Sequence, residues 1–201
     1  MRIFLTFAFI SLFWSTSDAQ TTGNLDLNGD WILNVKDSKV IDSIVSENVS
    51  RDYLVSKSRL LLRIIQKDPE IKFILLNRSS KAIESVSILN TDGREEKTKA
   101  SVGVEKTTTT WQGEKLVMKR SRSGDEFPSL PSRKADNQVL IGAARDAGSE
   151  VRIEWTLSAD EKRLTEIVKV TDRLRVKLRE KDEIKETKRQ IINIYERVVD
   201  K

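Results

Sequence analysis

Val151, Ile153, Trp155 and Leu157 alternate with Arg152, Glu154 and Thr156. A two-residue period puts the apolar set on one face of an extended strand and the polar set on the other, whereas a helix would scatter both around its surface. The same period recurs along the chain. Leu60, Leu62 and Ile64 alternate with Leu61, Arg63 and Ile65 up to a turn at Asp68-Pro69, and Ile71, Phe73 and Leu75 share one face of the returning strand, which ends at Asn77 to Ser80. Val86 and Ile88 mark a further strand, and Thr91-Asp92-Gly93 is a hairpin signal, because Asp-Gly tolerates the positive φ of a tight turn. Thr107 to Gln112 is rich in β-branched Thr and carries Trp111; Gly113-Glu114 then turns into a strand from Lys115 to Arg120 with Leu116 and Met118 on one face.

The two ends of the chain are read from the same rules. Gly29 to Lys39 reads as the first strand, entered through an Asn28-Gly29 turn, with Trp31 facing inward. Ile41, Ile44, Val45 and Val49 fall at helical spacing, which marks a short helix within 40–57. Ser158 to Lys162 forms a turn. Beyond it Leu164, Ile167, Val168, Thr171, Leu174 and Leu178 would line a helix, yet Val168, Val170, Leu174, Val176 and Leu178 share the parity of a strand. The β-branched content favours strands, with a last turn at 181–186 and a closing strand from 188 to 199 that puts Ile192, Ile194 and Val198 on one face. Residues 121–148 break the rhythm with Pro128, Pro131 and several glycines, and read as a long loop or insertion. An all-β fold follows: one antiparallel β-barrel or strongly curved meander of about eight to ten strands.

Residues 1–19 carry the marks of a cleaved signal peptide: Arg2, an apolar run from Ile3 to Trp14, and a small-residue exit with Ser17 and Ala19. The expected mature chain, 20–201, has the size of one domain and can bury a core without staples. It contains no cysteine, which suits a bacterial periplasm or a secreted bacterial protein better than an animal secretory route. The net charge of +5 comes from 36 basic and 31 acidic residues dispersed along the chain, and describes a solvated surface more than a basic block.

With no His and no Cys, Ser-His-Asp and Cys-His mechanisms and His- or Cys-based zinc and copper sites are excluded. The adjacent pairs Glu95-Glu96, Asp125-Glu126 and Asp160-Glu161 point to opposite sides of a strand or sit in turns, the wrong arrangement for two acids on one substrate. No glycine-rich phosphate loop and no calcium-loop spacing is present. No enzyme, cofactor or metal is expected. Trp31, Leu33, Trp111 and Trp155 are candidates for the wall of an apolar ligand cavity, with core packing as the competing role. Arg173, Arg175, Lys177 and Arg179 would form one basic strand face, either a contact for an anionic partner or a solvated outer face with edge-protecting charge. Aromatics interleaved for base stacking are missing there, so nucleic acid is not expected.

Several short words of the chain resemble those of small exported lipocalin-like proteins of acidobacteria and their relatives. Gly29-Asp30-Trp31 with Asn34 to Lys39 resembles their "G-T-W-x-L-N-x-x-K-S-K" opening. Thr91 to Glu95, Trp111 to Val117, Trp155 to Asp160 and Tyr195-Glu196-Arg197 follow in the same order. Glu161 stands where that group has a turn Gly, and the 121–148 segment is longer than in the group. The resemblance implies a lipocalin-like barrel whose Trp31 plugs one end against an Arg, with Arg197 as the first candidate and Arg173 and Arg175 as alternatives. It implies no activity. The resulting expectation is a monomeric, exported, non-enzymatic protein that binds a small apolar or amphipathic ligand. The alternative is a packed interaction module whose basic face meets a partner or the cell envelope.

Overall fold

The computed structural model describes residues 25–42, 47–99, 103–123, 144–178 and 181–199. The strands are β1 (Gly29–Leu33), β2 (Lys39–Asp42), β3 (Leu60–Lys67), β4 (Glu70–Asn77), β5 (Ile83–Asn90) and β6 (Glu96–Lys99). They continue as β7 (Val104–Trp111), β8 (Leu116–Ser123), β9 (Ala144–Leu157), β10 (Arg163–Leu178) and β11 (Lys181–Arg197), and one helix, α1 (Glu47–Lys57), lies between β2 and β3. All eleven strands join one antiparallel sheet in the order β5-β4-β3-β1-β11-β10-β9-β8-β7-β6, with β2 also on β11. This is the expected curved meander with one strand more than the upper expectation.

The sheet curls without closing. Phe73 of β4 and Trp155 of β9 meet with ring centroids 4.9 Å apart, although four strands lie between them in the sheet order. Beyond β5 the chain touches the opposite side through an Asp92–Thr110 bridge and a 3.1 Å bond from the Gly93 N–H to the Thr109 carbonyl. The buried core gathers inside the curl, where Leu27, Trp31, Ile64, Ile71, Leu116 and Leu164 are almost inaccessible to solvent. Burying such side chains contributes roughly 1.5–3 kcal/mol each.

Five sequence expectations change. The expected 121–148 loop is shorter at both ends, because β8 runs on through Ser123 and β9 begins at Ala144. The first strand is not continuous to Lys39: it stops at Leu33 and resumes as β2, because Asn34 and Ser38 divert the backbone into side-chain bonds. Ser38 Oγ donates to the Asn34 carbonyl at 2.6 Å and accepts the Ile194 N–H at 3.0 Å, so one hydroxyl bridges the interruption opposite β11. The helix begins later than its apolar spacing suggested, with Ile41 in β2 and Leu54 as its buried residue. Thr91-Asp92-Gly93 turns the chain, but β6 pairs with β7 and not with β5, so the turn closes no two-strand hairpin. Finally, β10 and β11 pair continuously from Arg163–Glu196 to Leu178–Lys181, which places the expected 181–186 turn inside β11.

The signal segment 1–19, the 124–143 portion of the expected insertion with its Pro128, Pro131 and Asp125-Glu126, and Arg179 lie outside the described residues. Among the described residues no helix is long and apolar enough to cross a membrane.

Candidate functional site

Alternation assigns the concave face. Leu116 and Met118, Trp155 and Ile153, Leu164 and Val168, and Tyr195 and Ile191 are matched across neighbouring strands, so these parities point inward. One end of the interior is packed around Trp31. Trp31 is fully buried, and its Nε1–H donates to the Leu27 carbonyl at 3.1 Å. Arg197, its register partner across β1 and β11, lays its guanidinium 4.6 Å from the ring centroid and donates to the Asp26 carbonyl at 3.3 Å. Arg173 belongs to the convex face, where it is held by Glu186 at 3.0 Å and Glu150 at 2.8 Å. Leu33 is buried beside Tyr195 and completes this floor.

Above the floor lies a single lateral row of inward residues on five adjacent strands: Trp111, Leu116, Trp155, Glu166 and Asn193. Glu166 Oε2 accepts from Asn193 Nδ2 at 2.6 Å, from Tyr195 Oη at 3.1 Å and from Lys57 Nζ at 3.1 Å. The last contact places the C-terminal end of α1 over the interior, with the Lys57 ammonium 5.6 Å from the Tyr195 ring centroid and Leu54 in the core. Burial, and then the adjacent Glu166 carboxylate, push the Tyr195 phenol well above its ordinary value, so it stays a donor. Three polar atoms of this row are buried without a hydrogen-bond partner in the protein: Trp111 Nε1, Trp155 Nε1 and Asn193 Oδ1. Each such atom costs about 1–3 kcal/mol relative to a satisfied one.

On β9, β10 and β11 burial falls away on the other side of the row, while their neighbours there on β7 and β8, Thr109 and Met118, stay buried. Leu164, Tyr195 and Trp155 are 0–4% exposed, Ile153, Val168 and Ile191 on the same faces are half-buried, and Leu174 farther along β10 reaches 41%. Along β9, β10 and β11 the concave face therefore runs from a packed floor, through the polar row, to a half-buried aliphatic wall. Charges near the mouth are paired between neighbouring strands, Arg189 of β11 with Asp172 of β10 at 2.8 Å and Arg120 of β8 with Glu105 of β7 at 3.3 Å.

All four cavity candidates, Trp31, Leu33, Trp111 and Trp155, share this concave face, but they sit at different depths: Trp31 and Leu33 belong to the floor, Trp111 and Trp155 to the row. Arg175 is exposed on the convex face, and Lys177 follows in β10, where the backbone pairing alone is described. Two open clefts, of about 540 and 550 Å³, are formed on the convex side around Arg163 and around Lys119 respectively, outside the curl. Asp160 is held in its turn by Ser158 Oγ at 2.6 Å, and Glu95 contacts Lys97 and Lys106, so neither faces a second acid. Among the described residues no cluster of carboxylates is placed to hold a metal ion.

The sequence reading missed Glu166, Asn193 and Lys57. The first two carried a signal: each interrupts an apolar parity, Leu164-x-Glu166-x-Val168 and Ile191-x-Asn193-x-Tyr195. The closing strand was instead read by Ile192, Ile194 and Val198; Ile192 and Ile194 lie on the convex face, half-buried. Lys57 had no such mark, because only the helix position brings it to the interior.

No protein-family model matches the chain, and no curated protein matches it. Solved structures similar to it include a "REP1-NXSQ fatty acid transporter" at 13% identity, covering 88% of this chain and 98% of that one, with a TM-score of 0.40. A point mutant of that transporter is similar at 12% identity, covering 86% and 98%, with a TM-score of 0.38. A likeness of that depth carries no argument about ligand or role.

Proposed function

We propose that this is an exported, non-enzymatic binding protein that holds one small amphipathic molecule inside the curl of the sheet. The observation that carries the reading is the row with its three unpartnered buried atoms, set between an aliphatic wall and a packed floor. A purely packed interior gains nothing from two indole N–H groups and an amide oxygen left without partners. A bound molecule that fills the wall and meets those atoms removes the penalty. The similarity of the hairpin words to exported lipocalin-like proteins supports the same reading.

A second reading, a packed interaction module, draws on the direct Phe73–Trp155 contact across the interior and on the exposed Arg175 of the convex face. Native mass spectrometry of the protein purified without detergent from its own source separates the two. A reproducible added mass that is lost on denaturation is expected for a binding protein. A bare monomer in repeated preparations, or a dimer or hetero-complex without small-molecule mass, favours the module.

A further inference from the structure

We infer that the bound molecule is an alkyl amphiphile with an uncharged head group that both accepts and donates hydrogen bonds, such as a primary amide or a hydroxyl, inserted head first. The inference rests on the interior being a binding site. The open groups in the row are two donors, on Trp111 and Trp155, and one acceptor, on Asn193. An amide or hydroxyl complements both kinds from one small group, whereas a carboxylate only accepts and an ammonium only donates.

Charge points the same way. The Glu166 carboxylate already holds the Lys57 ammonium at 3.1 Å together with two neutral donors, so the two charges of the row cancel. A carboxylate head would set a second anion beside Glu166, and an ammonium would compete with Lys57 for it; either leaves a buried charge poorly paired. Trp155 and Asn193 are the register partners of Glu166 on its two flanking strands, so their open groups lie on either side of that carboxylate along the row. The half-buried Ile153, Val168 and Ile191 then receive the alkyl chain on the way to the mouth. Near the mouth Arg189 and Arg120 each already face a carboxylate.

The test is calorimetric titration of the delipidated whole chain at neutral pH with octanamide, 1-octanol, octanoate and octylammonium. Octanamide and octanol are expected to bind about tenfold or more tighter than the two ions, the ratio for one well-made hydrogen bond against a mispaired group. Trp155→Phe keeps a ring against Phe73 and removes the donor; octanamide should weaken about tenfold while octylammonium, which accepts no hydrogen bond, changes little. Trp111→Phe repeats the test at the rim of the row should the first variant fail to fold. Equal affinity for all four, tightest binding of an ion, or variants that leave octanamide unaffected would overturn the head-group inference and leave the binding reading standing. No heat and no competition with a fluorescent apolar probe by any of the four would remove both.

Discussion

Trp31 is fixed at its edge by a bond to the Leu27 carbonyl and on its face by Arg197, and these two contacts differ in weight. Removing the ring opens a cavity in the floor, so Trp31→Ala should cost about 3–5 kcal/mol. Arg197→Ala loses the cation over the ring and some stem packing, and should cost about 1–2 kcal/mol. Urea unfolding measures both, and an Arg197 variant as damaging as the Trp31 variant would mean the guanidinium, not the ring, organises that end. Tyr195 supplies a pH signature. Its folded value lies well above the ordinary 10.0, so the neutral phenol is favoured by folding. That stability is fully present below 10.0 and is lost as pH climbs from there toward the folded value, where only the unfolded chain ionises. Unfolding midpoints measured from about pH 8 to about pH 11 should fall less steeply for Tyr195→Phe than for the parent. Parallel slopes would mean that the phenol ionises equally easily in the folded protein.

At the scale of elements, Gly93 shows how a turn signal was legible while its partner was not. Its φ of 80° is left-handed, and a Cβ there would come within 2.9 Å of Thr110 Cγ2. Gly93→Ala should therefore destabilise by about 1–3 kcal/mol, through strain and through displacement of the contact that joins the segment after β5 to β7. Thermal melts of the variant check this, and an unchanged midpoint would show that the contact is dispensable. Local chemistry demanded the turn, but which strand lay beside it depended on how the sheet curls. The strands themselves were readable wherever one parity was clearly apolar, as in Val151 to Leu157. Two failures have physical causes. Asn34 and Ser38 compete with the ladder through their own side chains and split the first strand. In β11 both parities carry large apolar residues, so counting hydrophobicity selected Ile192 and Ile194, whereas the concave positions include polar Asn193 and Arg189. The site was hidden because its polarity breaks the rule by which an interior is recognised.

For the molecule as a whole, the gradient from floor to mouth runs along the two longest strands, and it should appear in their dynamics. β10 and β11 pair over their full length, so backbone hydrogen bonding alone predicts similar protection throughout. Packing predicts otherwise. Around Leu164 and Tyr195 the pair is backed by the buried core, while around Leu174 and Lys185 the side chains are exposed. Local opening is governed by the apolar burial that must be broken with the hydrogen bonds. Amide exchange should therefore be slowest at 164–168 and 191–196, approaching the global unfolding limit, and faster by orders of magnitude at 172–176 and 183–187. Occupancy of the interior gives a sharper form of the prediction. A molecule seated against Ile153, Val168 and Ile191 adds burial at the middle of this gradient, so it should slow exchange there most and leave the already protected floor almost unchanged. A uniform slowing across both strands would instead report global stabilisation by binding elsewhere, and no slowing near Val168 would place the ligand outside the curl.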